Sequence, residues 1–171
     1  MKMIKGKIDN IVAFVTCALL SVMVLITLWQ VFTRYVLDSP STTSEEFLRY
    51  ALIWVSLLGA VYIFGKKAHI AITFFKGKLP DKAVLIVNVF IEALIIVFAG
   101  FILVYGGLDG VMRTMNQQSP AMGIPVGYVY SVLPLSGVLI IFYSTFNLIE
   151  LLRNKKETED IEEVKTEKIP M

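Results

Sequence analysis

Few side chains in this 171-residue sequence could do chemistry. Glu92 is the only charge in the 26 residues from Ala83 to Leu108. It stands nine residues after Ala83, about 14 Å of helix rise, near the middle of a bilayer. An acid at that depth suits a proton relay. It equally suits a hydrogen-bonded carboxyl that fixes a helix contact, and no second acid or base shares its run. His69 is the only histidine, so no bis-histidine metal or haem site can form within the chain. It lies in a lysine-rich connector and reads as an interfacial residue rather than a base for a nucleophile. Cys17 is the only cysteine, which excludes an internal disulfide and any two-cysteine redox motif; inside an apolar run it reads as a small buried hydrophobe. There is no phosphate loop and no basic–aromatic cluster of the kind that binds nucleic acid. These residues point away from an enzyme, a metal site or a bound cofactor.

A further polar constellation between two apolar runs is the stretch from Trp29 to Trp54. Arg34 and Tyr35 close one apolar run, and the chain turns at Ser39-Pro40. Proline cannot continue a helix and biases the residue before it toward extended geometry. Thr42 and Thr43 then stand three residues before Glu45 and Glu46, a helix-start signature. Arg49 lies four residues after Glu45 and three after Glu46, so either carboxylate can pair with it on one helix. The plain reading is a water-exposed cap between two membrane helices. The alternative is a contact surface for a partner, with Trp29, Arg34, Tyr35, Glu45, Glu46, Arg49 and Trp54 as candidates.

The elements carrying these residues follow from the distribution of charge. The chain is 56% hydrophobic and only 18% charged, with mean hydropathy +0.71. Soluble domains usually carry about a quarter charged residues. Asn10 to Thr33 holds 24 residues without charge, more than the roughly 20 that span a bilayer as a helix. It lacks the short apolar core and cleavage site of a signal peptide. The expected fold is an all-α integral membrane protein with four spans, about 11–36, 43–64, 83–105 and 128–150. The third should end ahead of Gly106-Gly107, and Pro134 should adjust the first turns of the fourth. Ser56 to Ala60 places small residues four apart, a spacing that permits close helix approach. Ala68–Phe75, flanked by lysines, is too short to span and fits a segment lying in the headgroup plane, in contact with lipid. Residues 1–150 thus form one membrane domain. The charged tail, 151–171, is expected to be disordered.

Orientation follows from the basic residues. The N-terminal segment, the second connector and the tail hold 13 of the 16 Lys and Arg. By the positive-inside bias, both termini face the cytoplasm. The Pro40 hairpin and the Gln117–Gly127 loop face outward.

From about residue 10 to 150 the chain resembles the small membrane subunit of tripartite ATP-independent periplasmic (TRAP) transporters, the DctQ-like family. One stretch that carries the likeness is Trp29-Gln30-Val31-Phe32-Thr33-Arg34-Tyr35, followed by Glu45-Glu46 and Trp54. Another is Gly59-Ala60 with Gly65, His69-Ile70 and Leu79-Pro80. The last runs from Ser119-Pro120-Ala121-Met122-Gly123-Ile124-Pro125 through Val126-Gly127-Tyr128 to Pro134. Glu92 matches no motif of the family.

The resemblance implies an accessory scaffold in a bacterial inner membrane, without substrate, sodium or cofactor sites of its own. It would form a heterodimer with a large multi-span transport subunit. A periplasmic substrate-binding protein would deliver an organic acid, of C4-dicarboxylate or sialic acid type, for sodium-driven uptake. Arg34 would then be a contact for one of these partners. The competing reading is an independent four-span, proton-coupled transporter or exporter that uses Glu92. A four-helix membrane oxidoreductase would require the cysteine or histidine pair that is missing.

Overall fold

The computed structural model describes residues 2–66 and 81–167. His69 and the expected interfacial segment lie outside them. The described chain is helical. The helices are α1 (Lys2–Tyr35), α2 (Thr42–Gly65), α3 (Asp81–Phe98), α4 (Gly107–Thr114), α5 (Val126–Tyr130) and α6 (Val132–Glu167). A π-helical segment, Ala99–Gly106, joins α3 to α4. Four stretches are long and apolar enough to cross a membrane: Lys5–Tyr35, Thr42–Gly65, Ala83–Thr114 and Val126–Leu151.

The third stretch departs most from expectation. It does not stop near Tyr105 but continues through the wide π turns to Thr114. The glycines there do not end the helix, because one of them serves packing. A Cβ on Gly107 would lie 2.9 Å from Pro134 Cδ. Asp109 pairs within the helix with Arg113, four residues on, at 2.7 Å.

The fourth stretch runs through Ser131, between α5 and α6, with helical backbone, and Ser131 N–H donates to Gly127 O at 3.0 Å. Pro134 then falls in the first turn of α6, where its missing N–H leaves no intrahelical bond unmade. That is the adjustment expected of this proline. Helical backbone continues past Glu150 to Glu167, where the sequence suggested disorder. Residues 155–167 are rich in Lys and Glu, which are good helix formers.

The helices pack in the order α1, α2, α6, α3, with the π segment also on α6. A hydrophobic cluster of Val12, Val61, Ala99, Ile140 and Tyr143 draws on all four layers. On α1 the covered seam is Lys5, Asp9, Val12, Thr16, Leu19, Met23, Ile26, Gln30 and Thr33. Its intervals alternate between four and three residues, the heptad pattern of a helix pair winding with a left-handed twist. Ile8 and Ala13 are half-buried beside this seam, whereas Phe14, Leu25, Trp29 and Tyr35 are exposed. Cys17 is exposed too, contrary to expectation, because it falls off this seam. The small residues expected to bring helices together do not do so on α2, where a Cβ on Gly59 would meet open space. The close approach is at the end of that helix instead. A Cβ on Gly65 would lie 2.8 Å from Asp9 Oδ1 and 3.0 Å from Tyr143 Cζ.

Candidate partner interface and the contacts that hold it

At the hairpin end, Ser41 rather than Thr42 or Thr43 caps α2. It sits in extended geometry, and its Oγ accepts a hydrogen bond from the Ser44 backbone N–H at 3.3 Å. Capping three residues on uses one of the orphan N–H groups of the first turn. Glu45 and Arg49 form the expected i,i+4 pair at 3.5 Å, with both side chains mostly exposed. An exposed pair of this kind contributes about 0–1 kcal/mol.

Glu46 does not share Arg49. It turns inward and is buried. Its Oε2 accepts the backbone N–H groups of Ala121 at 2.7 Å and Met122 at 3.0 Å. Its Oε1 accepts the Tyr50 hydroxyl at 2.7 Å. The carboxylate therefore clasps the loop between α4 and α5 to the start of α2. The loop is also closed on itself. Ser119 N–H donates to Ile124 O at 2.9 Å, and Val126 N–H to Gln117 O at 2.9 Å. Gly123, at φ +66°, supplies the left-handed residue that closes this turn, and its N–H donates to Ser119 O at 3.0 Å. Two turns beyond Glu46 on α2, Trp54 Nε1 donates to Val129 O at 3.1 Å and pins α5 as well.

The structure thus splits the candidates from this stretch. Glu46 and Trp54 are internal fasteners. Trp29, Arg34 and Tyr35 lie exposed at the end of α1, with Trp29 stacked on Phe32 at 5.9 Å between ring centroids. Arg34 has no polar partner among the described residues. Glu45 and Arg49 are exposed on α2. Sequence reasoning missed Tyr50, Ser119, Ala121 and Met122. The one available signal was the turn chemistry of Ser119-Pro120 and Gly123.

Glu92 belongs to the other end of the molecule. Its Oε1 accepts from Asn147 Nδ2 at 3.2 Å, and Asn147 Oδ1 accepts from Lys5 Nζ at 3.2 Å. Lys5 is one helical turn before Asp9, which adjoins Gly65, the last residue of α2. Glu92 therefore sits level with the ends of α1 and α2, not midway along the spans. The π segment and α4 lengthen the third stretch on its far side. Acid and base do accompany it, contrary to the sequence reading. Buried Asp9 accepts the hydroxyl of buried Tyr143 at 2.6 Å, and Lys5 Nζ lies 5.7 Å from the centre of the Tyr143 ring. Glu92 Oε2 has no hydrogen-bond partner among the described residues.

Every inward acid in this arrangement ties one element to another. The outward groups at the hairpin end remain for contact with something else. Residues 23–154 match the family described as tripartite ATP-independent periplasmic transporters, DctQ component. The chain belongs to the DctQ family. It is a small permease component of a TRAP transporter, a multi-pass membrane protein and not an enzyme. It is 32% identical over 155 residues to the sialic acid TRAP transporter small permease protein SiaQ of Vibrio cholerae, covering 89% of each chain. It is also 28% identical over 117 residues to the sialic acid TRAP transporter permease protein SiaT of Haemophilus influenzae. That match takes in 66% of this chain but only 18% of the larger protein. Glu46, Trp54, Glu92 and Asn147 fall within the DctQ match, whereas Lys5 and Asp9 precede it.

Proposed function

We propose that this chain is the scaffold subunit of a sodium-driven, binding-protein-dependent transporter for organic acids. The large multi-span transport subunit would carry the substrate and sodium sites, with this chain packed beside it in a bacterial inner membrane. One observation carries the reading. Buried Asp9, Glu46 and Glu92 each bond a group on another part of the fold, so the inward acids hold helices together instead of lining an open path. The matched segment within a permease several times longer supports the pairing, since there a similar stretch shares a chain with much more permease sequence. The exposed stripe from Ile86 through Phe90, Leu94, Val97, Phe101 and Tyr105 offers an unbroken apolar face for a large subunit or lipid. The SiaQ likeness makes sialic acid the first substrate to test, with C4-dicarboxylates next.

The experiment is reconstitution. In liposomes, this chain with its large subunit and binding protein should take up the organic acid only under an inward sodium gradient. The chain alone should move nothing measurable. The second reading, a proton-coupled exporter, draws on the unpartnered Glu92 Oε2. Solute movement by the isolated chain, abolished by Glu92→Gln, would establish that reading and end the scaffold proposal.

Both termini are proposed to face the cytoplasm, on the strength of the basic bias. A reporter active only outside the cytoplasm should work when fused near Ser41 or Gln118 and fail when fused near Gly77 or after Leu152. The opposite pattern would invert the orientation.

A further inference from the structure

A hollow of about 250 Å³ lies over α2, between α1 and the start of the fourth stretch. Phe47, Tyr50, Ala51 and Trp54, one face of α2 over two turns, form its floor. Leu19 reaches it from α1, and Met122 and Tyr128 from the other side. The floor rings are not free to turn and fill it. The Tyr50 hydroxyl is tied to Glu46 Oε1 at 2.7 Å, and Trp54 Nε1 to Val129 O at 3.1 Å. These bonds also use the polar ends of both rings. The Met122 N–H is likewise taken by Glu46 Oε2 at 3.0 Å. The hollow is therefore preformed and lined by carbon, with the exposed Tyr128 carrying the remaining hydroxyl.

Its depth identifies the medium it meets. Phe47 and Trp54 stand five and twelve residues after Thr42, the first residue of α2, which is about 8 and 18 Å of helix rise. Leu19 is fourteen residues from Lys5 and sixteen from Tyr35, the ends of the first apolar stretch. The hollow thus runs from just below the interface toward the bilayer centre, within one leaflet's hydrocarbon of about 15 Å. A soluble protein does not reach that depth. Size then separates lipid from a helix of the large subunit. Spread over the roughly 10 Å of α2 from Phe47 to Trp54, 250 Å³ leaves a cross-section of about 25 Å². A helix, about 10–12 Å across with its side chains, does not enter. Close helix approach also favours small residues, and three of the four floor residues are aromatic. Tyr128, the third residue of the fourth stretch, stands where interfacial tyrosines meet headgroups.

We infer that this hollow holds one acyl chain of a phospholipid from the leaflet on the hairpin side. The chain completes packing that the side chains of α1, α2 and α5 leave open, and the fixed walls spare the cost of ordering them.

The test uses the full chain in mild detergent. The sequence has two tryptophans, so Trp29→Phe leaves Trp54 as the sole indole. Phospholipid brominated on its acyl chain, which quenches indole emission on contact, should quench Trp54 along a saturating curve ending near one lipid per chain. Ala51→Phe in that background places a ring in the hollow and should weaken this binding about tenfold or more. Leu52→Phe, next to it but exposed, should leave the curve unchanged. Quenching that rises without saturation, equally in all three, would mean general lipid contact and overturn the inference. Equal saturation by a brominated free fatty acid would overturn the assignment to phospholipid. If Ala51→Phe does not fold, Leu19→Phe decides, since it narrows the hollow from α1; parent-like binding there refutes the inference. Mass spectrometry of the intact complex with the large subunit should find one more phospholipid on the parent than on the filled variant. Equal counts would mean that the large subunit occupies the hollow, and would overturn the inference as well.

Discussion

Gly137→Leu should cost this protein much of its stability. A Cβ at this position would lie 2.8 Å from both Leu103 Cβ and Val104 Cγ2, and 3.2 Å from the Val104 backbone nitrogen. Leu103 and Val104 belong to the π segment, so the obstacle includes backbone and a branched side chain, neither of which can swing aside. Overpacking of this kind typically costs about 1–3 kcal/mol, and more where backbone must move. Four added carbons against a helix axis belong at the upper end. The clash would also propagate, because Gly107 packs against Pro134 one turn away across the same contact. The expected result is a thermal unfolding midpoint many degrees below the parent in detergent, or loss of folded protein. Gly59→Leu is the matched control, since that position opens on empty space, and it should unfold close to the parent. Equal midpoints for the two variants would show that α6 and the π segment are not in close contact.

That contact also shows where the sequence stops being informative. Charge-free runs announce four membrane crossings plainly, since a charge at the bilayer centre is costly and a run of about 20 apolar residues has few other uses. The π segment leaves no such trace. Ala99–Gly106 is as apolar as its surroundings, and the wider turn changes neither composition nor length. Gly106 and Gly107 read as a terminus because glycine usually ends helices in water. Here Gly107 is the small residue that lets α6 approach. The hairpin was half legible. The pairing of Glu45 with Arg49 follows from spacing on one helix, and the structure has it. Glu46 differs from Glu45 by one position, and only the loop 75 residues later explains why it turns inward. The same holds at the other end. Lys5 and Asp9 look like the charged flank of a first span, yet they meet Asn147 and Tyr143 across the fold.

Tyr143→Phe should produce the second large effect, at that far end. The Asp9 carboxylate is buried against the end of α2 at Gly65, and the Tyr143 hydroxyl reaches it at 2.6 Å. Removing the hydroxyl leaves a buried acceptor without this donor, which costs about 1–3 kcal/mol and more when the acceptor is charged. Asp9→Ala leaves the hydroxyl orphaned instead and removes a group that α2 packs against. The two changes share one bond, so their effects should not add. The double variant should be more stable than the sum of the single losses predicts, with a coupling of about 0.5–3 kcal/mol. The consequence for assembly follows from the packing order. The main packing of α1 is on α2, and its bonds to α6 come from Lys5 and Asp9 near its start. Loosening that start should free α1 to pivot on its heptad seam and carry Trp29, Arg34 and Tyr35 out of register at the hairpin end. Tyr143→Phe should therefore lower both the unfolding midpoint and the yield of complex with the large subunit, although the substitution lies at the opposite end of the bundle. Arg34→Glu should leave the unfolding midpoint unchanged, since Arg34 has no partner within the described fold. Strict additivity in the double variant would mean that Asp9 and Tyr143 are neighbours without a bond that matters, and α1 would then be held by its seam and by Lys5.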